Sequence, residues 1–340
     1  MFRTRNVRTI ATTALTFLWG MSLALAGQAP DASAGGGEVA LATAAASTAG
    51  ASSTDPVLSG YVEVEKIRLV LLPTKVEDRK GRVIEGLTAN DFQLMEDYIP
   101  QKIQFVSVES DAPVSIAFML DVSGSMRISG KLDAAKEAIR YFLDGLRPQD
   151  RFALIAFADE QVAWITEFTN DRERFLQRLM VQTGYGQTAL NDAVAAAPGL
   201  VQAGTDGRKA ILLITDGVDN ASRTSLDQAI ELARRASVPI YTVGFSSLPR
   251  DLLPMKEELA TNFSVLTRFS DETGGSLFAV HDPDELKEAV VRIDEELRHQ
   301  YLIGYVPSRT LWNGSYRRIQ LVTRKSRYQV HTRTGYYATP

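Results

Sequence analysis

Three oxygen-bearing side chains stand at alternate positions where a long apolar segment ends. The segment runs from Ser115 to Leu120 and is followed by Asp121-Val-Ser123-Gly-Ser125. Such an apolar run is typical of a buried strand, and alternate side chains just beyond its carboxyl end can turn toward one point. Carboxylate and hydroxyl oxygens are ligands for hard divalent cations such as Mg²⁺, which binds them at about 2.0–2.1 Å. The spacing therefore indicates a cation site at Asp121, Ser123 and Ser125.

Two later segments carry the residues that could complete such a site. The first is Gly184-Tyr-Gly-Gln-Thr188-Ala-Leu-Asn-Asp192, in which the glycines allow a bent loop that presents Thr188. The second is the apolar strand 210–215, which ends in Thr215 and is followed by Asp216-Gly217. In an open parallel sheet, ligands bind outside the carboxyl ends of the strands. We therefore expect Asp121 and Asp216 to lie at two neighbouring strand ends.

Together the three segments resemble the metal-ion-dependent adhesion site of von Willebrand factor A domains. That pattern consists of Asp-x-Ser-x-Ser, a downstream Thr on a loop and a strand-terminal Thr-Asp-Gly, and the resemblance extends from about Pro113 to Arg298. It implies that the hydroxyls of Ser123, Ser125 and Thr188 bond the metal directly, whereas Asp121 and Asp216 act mostly through water. The resemblance also implies Mg²⁺ or Mn²⁺, because Ca²⁺ prefers more oxygens at longer distances.

The same resemblance implies a partner. A shell with little direct negative charge leaves the ion electrophilic, with one position open for an Asp or Glu carboxylate of another protein. The flanks resemble a bacterial subgroup of exported A-domain proteins, on the residues 86–92, 301–307 and 335–337. A simpler interpretation of Asp121-Val-Ser123-Gly-Ser125 alone is a turn whose side chains cap the next helix. Thr188 and Asp216 in their expected places favour the metal site.

Three further residues near the site have two interpretations each. Asp192 is interpreted as a helix-surface residue or an indirect acceptor, and Asp219 as part of a turn that could shape the rim. Tyr185 could contact a partner or be an exposed loop aromatic.

The pattern from Pro113 onward predicts an α/β fold with a doubly wound, mostly parallel sheet. Buried strands are predicted at 114–120, 152–157, 210–214, 239–243 and 277–280, and the resemblance to A domains implies an antiparallel edge strand at 161–166. Amphipathic helices are predicted at 132–146, 226–236 and 285–298. The second of these is expected to begin with a capping box, Thr224-Ser-Leu-Asp227, and the third with Asp282-Pro283.

The chain divides into five predicted regions. They are a signal peptide (1–26), a low-complexity linker (27–58), an N-terminal β segment (59–111), the A domain (112–298) and a C-terminal β segment (299–340). Neither β segment has enough strands to close a core alone. We therefore expect the two to pair into one small β module that flanks the A domain, built from both ends of the chain.

The amino-terminal residues and the composition limit the possible locations and functions of the protein. Arg3, Arg5 and Arg8 precede an uncharged stretch that ends in Ala24-Leu25-Ala26, a pattern typical of an export signal. We therefore expect a periplasmic, secreted or envelope-associated protein, in contact with a membrane only if the signal is retained as an anchor. The chain has no cysteine, which excludes disulfides and thiol chemistry. Its net charge of −4 gives no reason to expect nucleic-acid binding.

Charged residues outside the site are expected to be solvated. The basic cluster at 317–327 is predicted to lie on the solvent face of a strand, and the acidic pairs Glu257-Glu258 and Glu295-Glu296 on exposed helix surfaces. The segment Gly124–Leu132 fails as a nucleotide-binding loop, because five residues separate its glycines and Leu132 replaces the Ser or Thr that would hold Mg²⁺. No histidine pair or nucleophile elbow is present, so we do not expect an enzyme.

The residues favour an exported, metal-dependent protein-binding function of the adhesion type. The alternative is a structural or assembly component of the cell envelope, in which the metal only stabilises the fold.

Overall fold

A computed structural model describes residues 68–108, 111–159, 161–202, 208–245 and 257–340. The predicted signal peptide, the linker 27–58 and the start of the predicted N-terminal β segment (59–67) lie outside these residues. No helix in the described ranges is long and apolar enough to cross a membrane.

The described elements alternate between strands and helices in the middle of the chain and are strands at both ends. The strands are β1 (Val70–Asp78), β2 (Phe92–Glu96), β3 (Ile99–Gln101), β4 (Ile103–Val108), β5 (Val114–Asp121), β6 (Arg151–Ala158), β7 (Gln161–Thr169), β8 (Arg208–Thr215), β9 (Ile240–Phe245), β10 (Leu277–Val280), β11 (Tyr301–Tyr305), β12 (Tyr316–Thr323), β13 (Tyr328–His331) and β14 (Gly335–Tyr337). The helices are α1 (Lys131–Gly145), α2 (Arg172–Met180), α3 (Leu190–Gln202), α4 (Leu226–Ala236), α5 (Glu257–Thr273) and α6 (Pro283–Arg298).

The middle of the chain forms a six-stranded sheet in the order β10-β9-β8-β5-β6-β7. Five strands are parallel, and β7 pairs antiparallel with β6 at one edge. All eight residues of β5 are buried, because helices cover both faces of the sheet. Ile116 and Phe118 pack into one apolar cluster with α1, α2 and α6, while Ala117 and Met119 pack into the other with α3, α4 and α5. The predicted doubly wound α/β fold is therefore confirmed.

Local capping agrees with the predicted helix starts, with one correction. Asp282 caps α6 through its carboxylate, which accepts hydrogen bonds from the amides of Asp284 and Glu285. Helix α4 has the predicted bounds, but its capping box is formed by Ser225 and Gln228 and not by Thr224 and Asp227. A Gln amide oxygen can reach back to the cap as well as a carboxylate can, so the register of the box was wrong by one residue.

The two ends of the chain pair with each other in two four-stranded sheets. One has the order β13-β1-β11-β4 and the other the order β14-β12-β2-β3. In the first, β1 pairs antiparallel with both β11 and β13; in the second, β12 pairs with β2. Both sheets contribute to one apolar cluster, which includes Leu72, Leu94, Ile303 and Leu321. We refer to these eight strands and their common core as the β module.

The core of the β module contains a buried ion pair. Arg317 is completely buried, and its guanidinium donates to the Glu96 carboxylate over 3.0 Å. The hydroxyls of Tyr305 and Tyr336 donate to the other oxygen of Glu96 over 2.6 and 2.8 Å. The expectation of a solvated basic cluster is thus wrong at Arg317. Its neighbour Arg318 is exposed, as the alternation of a strand requires.

A second buried pair joins the β module to α6. The Lys75 ammonium donates to Glu296 Oε1 over 2.9 Å, and Ser276 donates to Glu296 Oε2 over 2.9 Å. Lys75 is 4% exposed and Glu296 is 3% exposed. The expectation that Glu296 is solvated is therefore wrong, because α6 turns this side chain toward β1 and not toward water.

We predict that Arg317→Met lowers the free energy of unfolding by about 3–5 kcal/mol, because Glu96 would stay buried without its cation. Arg318→Met is the matched control, since Arg318 is exposed on the other face of the same strand. Urea unfolding followed by circular dichroism measures both. Equal stability of the two variants would contradict this account of the β-module core.

Candidate functional site

The candidate site lies at the carboxyl edge of the central sheet, where β5 and β8 end side by side. Asp121 is the last residue of β5 and Thr215 the last residue of β8. The chain continues from β5 to β6 on one side, while β8 and β9 lie on the other. The site is therefore at a switch point of the sheet, where loops from neighbouring strands diverge and leave a crevice.

Asp121 is fully buried and is held by two hydrogen bonds. Its Oδ1 accepts from the Ser123 amide over 2.8 Å, and its Oδ2 accepts from the Thr215 hydroxyl over 2.6 Å. Burial raises the pKa of Asp121 to about 6, and the nearby Asp216 carboxylate adds to this, although hydrogen bonds from Thr215 and Ser123 oppose it. Burial and a second carboxylate both make the ionised form of Asp121 unfavourable, and a bound cation would stabilise that form.

Ser123 and Ser125 place their hydroxyl oxygens together, 3.1 Å apart. Ser123 is at the cap position of the 3₁₀ segment Gly124–Gly130, yet its side chain makes no capping hydrogen bond. The simpler interpretation, in which these side chains only cap the next helix, is therefore not supported at Ser123. Its hydroxyl is 1% exposed and faces Ser125 instead.

The Thr188 loop is fixed to both of the other site loops by backbone hydrogen bonds. The Tyr185 amide donates to the Val122 carbonyl over 2.8 Å, which ties the loop to the segment after β5. The Thr188 amide donates to Asn220 Oδ1 over 2.8 Å, and the Asn220 amide donates to the Thr188 carbonyl over 3.0 Å. The structure thus brings the three predicted segments together around the buried Thr188.

Two glycines are required for this loop to approach its neighbours. Gly186 has a φ of +65°, and a Cβ there would stand 2.2 Å from Asp159 Oδ2. A Cβ at Gly184 would stand 2.5 Å from Arg127 Cγ and 2.9 Å from the Ser123 carbonyl oxygen. Both positions therefore exclude a side chain, in line with the predicted bend of the loop.

Asp216 has one oxygen bonded and one without a partner. Its Oδ2 accepts from the Lys131 ammonium over 2.9 Å. Its Oδ1 is buried and has no hydrogen-bond partner among the described residues. A buried carboxylate oxygen without a donor is costly unless a cation or another ligand satisfies it.

Lys131 is the residue of this site that the sequence analysis missed. It was considered only within the rejected nucleotide-binding pattern. Its position as the first residue of α1 could have identified it. A cation is unfavourable near the positive end of a helix dipole, so a buried lysine there needs an acidic partner. Asp216 is that partner, and Lys131 is only 8% exposed.

The three rim residues have different positions. Asp192 accepts from the amides of Arg223 and Thr224, over 3.0 and 2.8 Å. Burial alone would raise the pKa of Asp192, but hydrogen bonds from the Thr224 side chain and these two amides outweigh it and lower the pKa. Asp219 accepts from the amide of Asn191 over 2.8 Å. Both carboxylates therefore hold the 219–224 loop against the start of α3, whereas Tyr185 is 48% exposed.

The donor set of the site is made of two carboxylates and three hydroxyls. In the described part of the chain, no group of three or more His, Asp or Glu side chains could hold a metal ion. A cation at this edge of the sheet would therefore depend on Ser123, Ser125 and Thr188 as well as on the two aspartates.

We predict that Asp121 makes the metal-free protein less stable as the pH rises. An unfolded Asp has a pKa of about 3.9, and the folded value is about 6. Between these values the folded state holds more protons, so the unfolding free energy falls through this range and stays lower above it, by up to roughly 3 kcal/mol. Urea unfolding in chelator between pH 4 and 7 measures this effect as the difference between wild type and Asp121→Asn. A difference that is constant over this range would contradict it.

Two curated relatives each match a little over half of the chain. An uncharacterized protein of Borreliella burgdorferi is 28% identical over 202 residues, which cover 54% of this chain and 58% of the relative. A UPF0353 protein of Mycolicibacterium gilvum is 25% identical over 216 residues, covering 56% and 62%. The chain therefore spans less than two thirds of the length of these relatives.

A solved structure and a family model also match this chain. The von Willebrand factor type A protein from Catenulispora acidiphila aligns over 74% of this chain and 75% of its own, with 16% identity and a TM-score of 0.46. The model of the von Willebrand factor type A domain matches residues 115–292, which is more than half of the 340 residues. This range contains β5 to β10 and all the candidate site residues, and the chain therefore belongs to the von Willebrand factor type A domain family.

Proposed function

We propose that this protein binds a partner protein through a divalent cation held at the end of β5. Ser123, Ser125 and Thr188 would supply hydroxyl oxygens, with Asp121 and Asp216 as the acidic members of the set. Domains of this family often mediate adhesion between proteins, and some carry such a metal site. The observation that carries the proposal is the buried Asp216 Oδ1, which has no partner among the described residues although it lies in a polar site.

The chemistry of the donors supports Mg²⁺ or Mn²⁺. All five side chains offer oxygen and none offers nitrogen or sulfur, a donor set that suits hard cations. Ca²⁺ would favour more oxygens at longer distances than this set provides. When bound, the cation would supply positive charge and a coordination position for a carboxylate of the partner.

The charges of the site explain why the partner group should be acidic. Asp121 and Asp216 together carry two negative charges, and Lys131 returns one positive charge by its contact with Asp216. Without a cation, these three side chains therefore have a net charge of about −1. A bound divalent cation would bring the net charge of the site to about +1. In a site that is shielded from water, this positive excess favours an anionic ligand.

An exported location belongs to the same proposal. It follows from the amino-terminal signal pattern, which lies outside the described residues and stays a prediction. The alternative function, a structural or assembly role in which the cation only stabilises the fold, shares the site but has no metal-dependent partner. That the protein is not an enzyme is likewise part of the proposal and rests on the sequence, which has no histidine pair and no nucleophile elbow.

We predict that Thr188→Ala weakens Mg²⁺ binding at least about tenfold, because a buried hydroxyl donor is lost. Isothermal titration calorimetry measures the affinity, and Thr310→Ala, at an exposed position between β11 and β12, is the matched control. Unchanged affinity in Thr188→Ala would contradict the proposed ligand set. If Mg²⁺ raises the melting temperature but acidic ligands bind equally well in chelator, the structural alternative is favoured.

We predict that Lys131→Met binds Mg²⁺ more tightly than wild type, because it removes a positive charge beside the cation. The same change should lower the stability of the metal-free protein by about 3 kcal/mol, since Asp216 would lose its only described partner. Calorimetric titration and urea unfolding in chelator measure these opposite effects. Lys287→Met, which removes an exposed lysine on α6, is the control and should change neither. Weaker Mg²⁺ binding in Lys131→Met would refute the charge balance given above.

A further inference from the structure

A cavity of about 230 Å³ opens directly beside the candidate cation site. One wall comes from the segment after β5, with Met126 and Arg127, and the opposite wall comes from Thr183 and Gly184 at the start of the Thr188 loop. The two walls meet at Gly184, which lies against both the Arg127 stem and the Ser123 carbonyl oxygen. The cavity therefore shares its walls with two of the three loops of the cation site.

The cavity carries more positive than negative charge. Arg127 is exposed, and within the described ranges its guanidinium has no hydrogen bond or ion pair. Lys136 is 7% exposed, and its ammonium lies 3.3 Å from the Met180 carbonyl oxygen and 3.7 Å from the Asp133 carboxylate. Asp133 offsets one of these two cations, so one positive charge is left without a counter-ion, and it belongs to Arg127.

Three exposed apolar side chains are the immediate sequence neighbours of residues that line the cavity. Ile128 follows Arg127 directly and is 63% exposed, Val181 precedes the Thr188 loop and is 69% exposed, and Tyr185 within that loop is 48% exposed. Single exposed apolar residues are ordinary, but several around one polar site are typical of a protein contact surface. The surroundings of the cavity therefore fit a polypeptide better than a small ion.

We propose that Arg127 and this cavity form a second anion subsite, which selects a partner segment with two acidic side chains. One carboxylate of the segment would go to the cation and the other to the Arg127 guanidinium, with apolar residues between them against Ile128 and Val181. This inference rests on the proposed function and specifies its ligand. A guanidinium suits the second position because its planar donors can bind a carboxylate with two parallel hydrogen bonds.

Synthetic peptides test the inference. One peptide carries a single Asp among Gly and Leu residues, and three others add a Glu two, three or four positions after the Asp. Fluorescence anisotropy with an uncharged dye, in Mg²⁺ at low salt, measures their binding to the full chain. We expect one of the diacidic peptides to bind roughly two- to fivefold more tightly than the single-Asp peptide, as for a partly exposed ion pair.

Variants assign this gain to Arg127. Arg127→Met should remove the gain, so that the single-Asp and diacidic peptides bind this variant with equal affinity. Arg151→Met is the matched control and should keep the gain. Arg151 is exposed at the start of β6, at the opposite end of the parallel strands from the cation site. Arg127→Glu should prefer a peptide with Lys in place of the added Glu, a reversal that loss of folding would not produce.

The outcomes separate this inference from the proposed function. Equal binding of the single-Asp and diacidic peptides by wild type, or a gain that survives in Arg127→Met, would overturn the second subsite alone. Binding of the single-Asp peptide that is unaffected by chelator and by Thr188→Ala would overturn the proposed function. If no peptide binds in a Mg²⁺-dependent way, both are overturned.

Discussion

The site depends on one constraint, that two carboxylates are buried close together at adjacent strand ends. The pairing of β5 with β8 sets Leu120 beside Ile214, so that Asp121 contacts Thr215 at the strand ends. Asp216 is the next residue and lies close enough to raise the pKa of Asp121. Like charges in a poorly hydrated place repel each other and raise the cost of ionisation. The Thr215 hydroxyl, the Ser123 amide and the Lys131 ammonium all reduce that cost. The loops of the site are arranged around this requirement for compensating positive charge.

The β module meets a similar requirement in its own core. Glu96 and Arg317 lie on neighbouring strands, and Lys75 and Glu296 face each other between β1 and α6. Because desolvation offsets most of the attraction, such pairs add little net stability. They do penalise other arrangements, since a shift in register would leave a charge buried alone. The main effect of these ion pairs is therefore on specificity: they favour the observed strand register and the observed packing of α6 against β1.

The spacing of apolar residues and the residues that begin helices predicted most of the central fold. The apolar runs identified β5, β6, β8, β9 and β10, whereas the antiparallel edge strand β7 was expected from the resemblance to A domains. The three loops of the site also met as expected from the rule for carboxyl ends of parallel strands. These features depend on local pattern, which a single sequence contains.

The errors concern charged side chains whose partners are distant in sequence. Arg317 is two and four residues before Ile319 and Leu321, so the alternation of a strand places all three on the buried face. The prediction of a solvent-exposed Arg317 was based on its charge alone. Glu296 was wrongly predicted to be solvated because its partner Lys75 lies 221 positions away. Lys131 was missed for the same reason, because its partner Asp216 lies 85 positions away. Only the three-dimensional pairing shows that these charges are neutralised.

The way the central domain is connected has a consequence for the architecture of the chain. The strand before it, β4, pairs antiparallel with the strand after it, β11, and Val108 lies opposite Tyr301. Residues opposite each other in such a ladder are only about 5 Å apart. The whole six-stranded domain is thus inserted between two adjacent strands, in the manner of a very long hairpin loop. A tight turn from Val108 to Tyr301 would close the eight strands without it, so the six-stranded domain could be excised or exchanged while the β module keeps its topology.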